Sequence, residues 1–344
     1  MPRLNALLGS AALLAVMNLP ISPPAFAEDG GRITVMEEND SILSDDDGYY
    51  TQGLQFSYLS DDVAAESTWN APFAWLGGDG LGLLPAGVHQ SSRHYEIILG
   101  QSLFTPGDIN DRNPDADDRP YAGWLFGGVG LIQDTDRRQF DHLELLAGVV
   151  GPAAGGRRTQ NDWHQFIGID EAKGWDHQLD NEPGIALSYE RKWRLLAPIS
   201  GDFAVDALPE LGATLGNVQT YAESGVMLRF GKGLVADYGP ARIRPALSGT
   251  SYFNSDYLAD PFGFYIFVSA QGRAVARNVF LDGSTFEDSP DVDKKVFIAD
   301  LSAGFAVFWS DAIRLDGSFV HRTKEFDGQP RAEEFAGINL SFGL

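Results

Sequence analysis

From Tyr49 to Tyr58 the chain alternates, with Tyr50, Gln52, Leu54, Phe56 and Tyr58 on one side and Tyr49, Thr51, Gly53, Gln55 and Ser57 on the other. A period of two marks a strand with unlike faces, because successive side chains of an extended backbone point to opposite sides. The last residues repeat it: Ala336, Ile338, Leu340, Phe342 and Leu344 alternate with Gly337, Asn339, Ser341 and Gly343. Similar, noisier patterns run through 93–103, 121–133, 139–150, 183–195, 202–214, 218–230, 263–275, 296–308 and 312–321, and a short first strand covers 31–38. The pattern predicts about twelve strands, each near the ~9–11 residues that a tilted membrane strand needs. A soluble sandwich also alternates. Here, however, the polar face is rich in Gly, Ser and charge, and Tyr and Trp gather near strand ends as an interfacial girdle would. The expected fold is all-β, a membrane-spanning antiparallel barrel with one short helix in an extracellular loop.

Connection lengths orient such a barrel, since bacterial barrels keep short turns inside and long loops outside. With both termini inside, the outside connections are 39–48, 104–120, 151–182, 215–217, 276–295 and 322–333. Tight turns at Thr135–Arg138 and Ala197–Gly201 then fall inside. Two inside segments, 61–92 and 231–262, are long enough to pack under or into the lumen.

The N-terminus changes the picture next. Arg3, an apolar stretch from Ala6 to Met17 and the Ala25-Phe26-Ala27 cleavage pattern read as an export signal over 1–27, leaving 28–344 as the barrel domain. After Ala27 no run approaches the ~18 apolar residues of a membrane helix, so a membrane protein of this sequence must cross with strands. A formal charge of −23 without a basic run argues against nucleic acid as a partner. With no Cys there is no disulfide framework, thiolate metal site or cysteine nucleophile. No G-x-S-x-G elbow is present either, so a serine hydrolase is not indicated.

Candidate chemistry gathers in the outside loops. Glu37, Glu38, Asn39 and Asp40, followed by Asp45, Asp46 and Asp47, offer oxygen donors suited to a hard cation, although acidic loops are more often solvated turns. In the third outside loop, Thr159 to about Ala172 has helical spacing. Trp163, Phe166 and Ile167 form an apolar stripe expected to lean on the barrel wall. Gln160, His164 and Glu171 share another face, where a His beside carboxylates is a candidate general base.

These residues carry a resemblance. Glu38-Asn39-Asp40, Tyr49-Tyr50-Thr51-Gln52-Gly53-Leu54, Asp117-Asp118-Arg119-Pro120-Tyr121-Ala122-Gly123-Trp124 and Gly174-Trp175-Asp176 resemble the lipid A 3′-O-deacylase family of Gram-negative outer membranes. The resemblance implies a calcium-dependent site between the wall of a twelve-stranded barrel and a loop helix, hydrolysing the 3′ ester-linked acyl chain of lipid A. It implies His164 as the base, with Asn39, Thr51 and Gln160 orienting water or carbonyl. Ca²⁺ would be held by Asp40 and by Asp170 or Glu171, and Arg112 would bind substrate. Beside Arg112 the family's second cation is replaced by Asp111. Strand alternation puts Thr51 on the lumen face, directed into protein. The expected partners are lipopolysaccharide and the outer-membrane bilayer, with the protein a monomer. The rival readings are an inactive or phospholipid-cleaving relative and a passive porin-like barrel.

Overall fold

The computed structural model describes residues 30–41, 48–64, 66–77, 90–135, 138–243 and 250–344. The expected export signal and the acids Asp45, Asp46 and Asp47 lie outside the described residues. The strands are β1 (Gly31–Asn39), β2 (Tyr49–Ser60), β3 (Gln90–Thr105), β4 (Ala122–Thr135), β5 (Gln139–Val150), β6 (Glu182–Trp193), β7 (Leu195–Ser200), β8 (Phe203–Gly216), β9 (Gln219–Lys232), β10 (Phe262–Asn278), β11 (Phe297–Trp309), β12 (Ile313–Arg322) and β13 (Glu333–Gly343). Three short helices join them: α1 (Ala71–Leu76), α2 (Gly156–Ile167) and α3 (Val279–Asp282).

Each strand pairs antiparallel with its neighbours, β1 pairs with β13, and β6 pairs with β8. The result is a closed twelve-strand barrel, because β6 and β7 are one spanning strand interrupted at Arg194. The tight inside turn expected at Ala197–Gly201 is largely strand, since β7 extends the pairing with β8 and the chain reverses only after Ser200. Closure leaves no unpaired sheet edge, which is what hydrocarbon demands of a spanning sheet. Among the described residues no helix is long and apolar enough to cross a membrane.

The alternation seen in the sequence becomes two different environments. Ile97, Leu99, Val129, Ile185, Leu211, Leu228, Ile266 and Leu301 face outward and form an exposed apolar belt. Phe203, Phe230, Phe262 and Trp309 make ring contacts at the end where the short turns lie. Inward positions are polar and charged, yet buried. Two aromatic layers fill the lumen, one around Tyr50, Phe104, Phe126 and Phe335, the other around Phe140, Tyr252, Tyr265 and Phe308. Phe280 of α3 drops in from the long-loop end and stacks on Phe104 at 3.9 Å.

The segment after β9 enters the lumen, as its length allowed. Arg229 bonds both Asp206 and Asp237, Arg314 reaches Asp237 at 2.7 Å, and Arg194 lies 3.9 Å over the Tyr238 ring. Further along, Arg242 donates to Glu38 at 2.5 Å, so the Glu38 of the Glu-Asn-Asp motif anchors this plug to β1. Burial alone would push the Asp237 carboxyl up; Arg314 and Arg229 more than offset that and hold it below its ordinary range.

Two consequences can be measured. Arg229→Met takes a shared partner from two buried carboxylates, leaving Asp237 to Arg314 and Asp206 to a 3.9 Å contact with Arg194. The urea midpoint of the heat-modifiable barrel should therefore fall by the equivalent of up to about 3–5 kcal/mol. Because the folded pKa of Asp237 is depressed, its contribution is complete above the ordinary aspartate value of 3.8 and is lost only as pH falls through the lower folded value. Stability attributable to Asp237, taken as the difference between wild type and Asp237→Asn, should therefore be flat from pH 7 to pH 5 and shrink only in stronger acid.

Candidate active site on the outside of the barrel wall

The long connections 106–121, 151–181, 279–296 and 323–332 gather at one end of the barrel and brace one another. Arg119 bonds Glu325 at 3.2 Å, Thr285 donates to Glu182 at 2.6 Å, and Gly107 donates to Asp118 at 2.8 Å. Much of the Asp-Asp-Arg-Pro-Tyr-Ala-Gly-Trp motif serves this bracing.

Just below that end, the outward face of the wall changes character. Strand register aligns Asn39 with Gln52, Gln52 with Leu103, and Leu103 with Gly123, one rung across β1 to β4. Outward positions lower down are exposed or half-buried, but at and just above this rung Asn39, Thr51, Leu103 and Thr105 are buried. Something covers the wall here, and its first turn is identifiable. A Cβ on Gly123 would lie 3.1 Å from Ala154, while Gly156 packs against Leu103 and Trp175, so the chain entering α2 rests on β3 and β4. Gln101 donates to the Ala154 carbonyl at 2.6 Å and fixes that entry. A 12-residue helix is about 18 Å long and strands lie ~4.8 Å apart, so α2 is long enough to roof the patch as far as β1.

Thr51 belongs to this outer patch, not to the lumen. The β2–β3 register shifts between Tyr50 and Gln52, so Thr51 is the extra residue of a bulge. Its hydroxyl lies 2.7 Å from that of Thr105, the residue after luminal Phe104 and therefore on the opposite face. One inserted residue reversed the phase on which the lumen-face expectation rested.

Helix α2 also sits differently from the sequence expectation. Its buried residues are Gly156, Gln160 and His164, spaced by four along one edge. The apolar stripe is not buried on the wall: Phe166 is 71 % exposed, and Trp163 and Ile167 are half-buried. The helix turns its polar edge inward, with Gly156 on Leu103 and Gln160 against Trp175. It also ends earlier than the spacing suggested, at Ile167, because Gly168 adopts a left-handed φ of 77°. Glu171 therefore does not share a helical face with His164.

The stop at Gly168 has a chemical result. The chain turns back and sets the Asp170 carbonyl 2.6 Å from His164 Nδ1. A carbonyl can only accept, so Nδ1 carries the proton and Nε2 is the basic nitrogen of the neutral ring. Gln160 is oriented in the same way: Trp175 Nε1–H, a donor only, bonds Gln160 Oε1 at 2.7 Å. Trp175 is itself held against Tyr121, with ring centroids 4.9 Å apart.

The acids separate into two settings. Asp40 is buried and accepts from the Gly48 N–H at 2.6 Å, closing the first loop, while Asn39 Oδ1 accepts from the Ser41 N–H and hydroxyl. Asp170 and Glu171 are both exposed, as are Asp111 and Arg112. The Asp111 carbonyl is 3.0 Å from the Cβ position of Gly174, so Arg112 stands beside the roof's return segment. Among the described residues no three His, Asp or Glu side chains form a metal cage. The sequence reading named Glu37 only among the oxygen donors and left out Gln52; their side chains meet at 3.4 Å on the outward face next to Asn39. The signal was available, since each is a polar residue at a position of the lipid-facing phase.

A closed barrel with an outward apolar belt defines a membrane protein that crosses with strands. The chain belongs to the family described as Outer membrane protein LpxR, which matches residues 8–344 and bears out the resemblance carried by the motifs. It is a barrel of the bacterial outer membrane. Among solved structures it is similar to LpxR from Salmonella typhimurium, 19 % identical with a TM-score of 0.71, covering 90 % of this chain and 99 % of that one. The beta domain of the Bordetella autotransporter BrkA gives a TM-score of 0.44 at 13 % identity, covering 91 % of this chain and 97 % of that one. No curated protein sequence matches.

Gly168→Ala should test the local architecture. No atom lies within 4 Å of the added Cβ, so only the left-handed backbone resists, at roughly 1–2 kcal/mol. Hydrogen exchange at residues 164–171 should accelerate while the barrel's urea midpoint stays unchanged; unaltered exchange would mean that the Asp170 carbonyl does not depend on this turn.

Proposed function

We propose that this protein is a lipid A deacylase that hydrolyses the 3′-O-linked acyloxyacyl ester, from a site at the long-loop end facing the cell exterior. The observation that carries this reading is the buried His164, whose tautomer the Asp170 carbonyl fixes so that Nε2 can accept a proton. In this mechanism His164 Nε2 takes a proton from water as the water oxygen bonds to the ester carbonyl carbon. The same proton passes to the sugar oxygen when the acyl C–O bond breaks, leaving a free hydroxyl and a released fatty acid. Asn39, Thr51 and Gln160 supply hydrogen bonds to water and to the developing oxyanion. Arg112, exposed beside the roof, binds a lipid phosphate.

The groups around the roof fit a hard cation, because their donor atoms are oxygens: the Asp40 carboxylate, the Thr51 hydroxyl and the carboxylates of Asp170 and Glu171. Asp40 with one of the latter two would hold Ca²⁺, which when bound would polarise the ester carbonyl. A passive pore is the weaker reading, because the lumen is packed with aromatic layers and paired charges. Cleavage of a glycerophospholipid would use the same chemistry, and product analysis separates the two.

Lipid A from a host expressing this chain should lose the mass of one acyloxyacyl group, read by mass spectrometry. His164→Asn should cut turnover by ~10²–10⁴-fold with the heat-modifiable barrel intact. Near wild-type deacylation by that variant would remove His164 from the mechanism. A chelator should abolish turnover and added Ca²⁺ restore it. Asp170→Ala and Glu171→Ala should differ, the true ligand raising the calcium requirement steeply; equal, mild effects would discard both assignments.

A further inference from the structure

The two flanks of α2 lie in different surroundings. One is sealed by the chain that follows the helix. Asn161 accepts from the Ala172 N–H at 3.0 Å and donates to its carbonyl at 3.3 Å, and Arg157 pairs with Asp176 at 2.6 Å. That chain packs away from the membrane belt, Trp175 on Tyr121 and Gly174 beside Pro114, both part of the loop-end connections. The other flank carries Trp163 and Phe166, with ring centroids 5.6 Å apart, and Ile169 follows just past the cap. Phe166 is 71 % and Ile169 44 % exposed.

With the loops against one flank and the wall beneath, the apolar flank faces down the barrel. Leu125, paired with Gln101, lies one rung below the Leu103–Gly123 rung that carries the helix's first turn. Leu99, paired with Gly127, lies two rungs below. Both are exposed members of the lipid-facing belt, Leu99 at 57 %. The stripe on α2 continues an apolar surface that already faces hydrocarbon. The polar residues Arg158, Asp162 and Gln165 are exposed on the side away from the wall.

We infer that α2 is an interfacial helix whose Trp163, Phe166 and Ile169 edge is immersed in the acyl-chain layer of the surrounding membrane. Helices of this kind bury an apolar edge roughly 5–10 Å into the headgroup–acyl boundary while their polar side stays wet. The roof over Gln160 and His164 is then bounded by lipid on its lower side, so an acyl chain reaches the patch sideways from the bilayer. The membrane contact itself does not depend on the hydrolase reading.

The chain has no cysteine, so single-cysteine variants place a probe without a prior background substitution. Phe166→Cys, Ile169→Cys and Gln165→Cys, with Leu99→Cys as the belt reference, are labelled with bimane. The full barrel is reconstituted in phosphatidylcholine vesicles with brominated acyl chains, and heat-modifiable mobility verifies folding. The Phe166 and Ile169 probes should be quenched by bromolipid as Leu99 is, and severalfold more than Gln165, while aqueous iodide should give the reverse order. Gln165 and Phe166 are adjacent in sequence, so a difference between them reports the helix face rather than the loop's height. If Phe166 and Ile169 respond to iodide as Gln165 does and are silent to bromolipid, the helix stands in water and the inference fails. This readout uses no lipid A and no turnover, so it can fail while the hydrolase reading stands, and the reverse.

Discussion

Hydrocarbon offers no hydrogen bonds, so a sheet that crosses it must pair every backbone group with its own strands and close on itself. In this protein that constraint fixes nearly everything else. Closure by the β1–β13 and β6–β8 pairings divides side chains into an outward set and an inward set. The outward set must be apolar wherever lipid touches it, and the inward set is free to be polar. Polar chemistry outside the wall is then tolerable only at the rim and only under cover. The patch of Asn39, Thr51 and Thr105 obeys this: it sits at the loop end and is buried, and the chain entering α2 packs on the neighbouring Leu103.

The lumen answers a different demand. A narrow barrel with an inward polar face encloses charges that have lost much of their water, and each must find a partner or destabilise the fold. Arg229, Asp206, Asp237 and Arg314 form one such paired set, and Arg273, Asp300, Arg322 and Glu325 form another. Pairing of this kind, with the aromatic layers, packs the interior and braces the wall from within.

The strand pattern was legible because period two is a local property that needs no partner to be seen. Every expected strand is present, with ends within three residues of the structural ones except the sixth, which β7 carries on to Ser200. The described part of the 231–262 connection packs into the lumen, as its length allowed. What could not be read depends on partners. The bulge at Thr51 is a mismatch between β2 and β3, and neither strand announces it alone. The break at Arg194 is set by the plug, since its guanidinium bonds the carbonyls of Val235 and Asp237. Of the motif residues, Asn39 and Thr51 are buried on the outer rung of the wall, and Gln160 and His164 on the inner edge of α2. The helical-wheel link from His164 to Glu171 failed because Gly168 ends the helix, a glycine visible in the sequence whose backbone sense was not.

The orientation of α2 shows where amphipathic reasoning needs its reference medium stated. In a water-soluble domain the apolar stripe of a helix faces protein and the polar edge faces solvent. Here Gln160 and His164 are buried while Phe166 is exposed. The rule is unchanged if it is written as matching polarity to surroundings rather than as apolar inside. On the outside of a membrane barrel, the protein beneath the helix is the polar neighbour and the medium beside it is the apolar one. A histidine held on the inner edge is thereby shielded by the helix that carries it, with its proton fixed on Nδ1 by the Asp170 carbonyl. The arrangement needs only a helix short enough to fit over about four strands, a glycine to end it, and a wall whose outermost rung is polar.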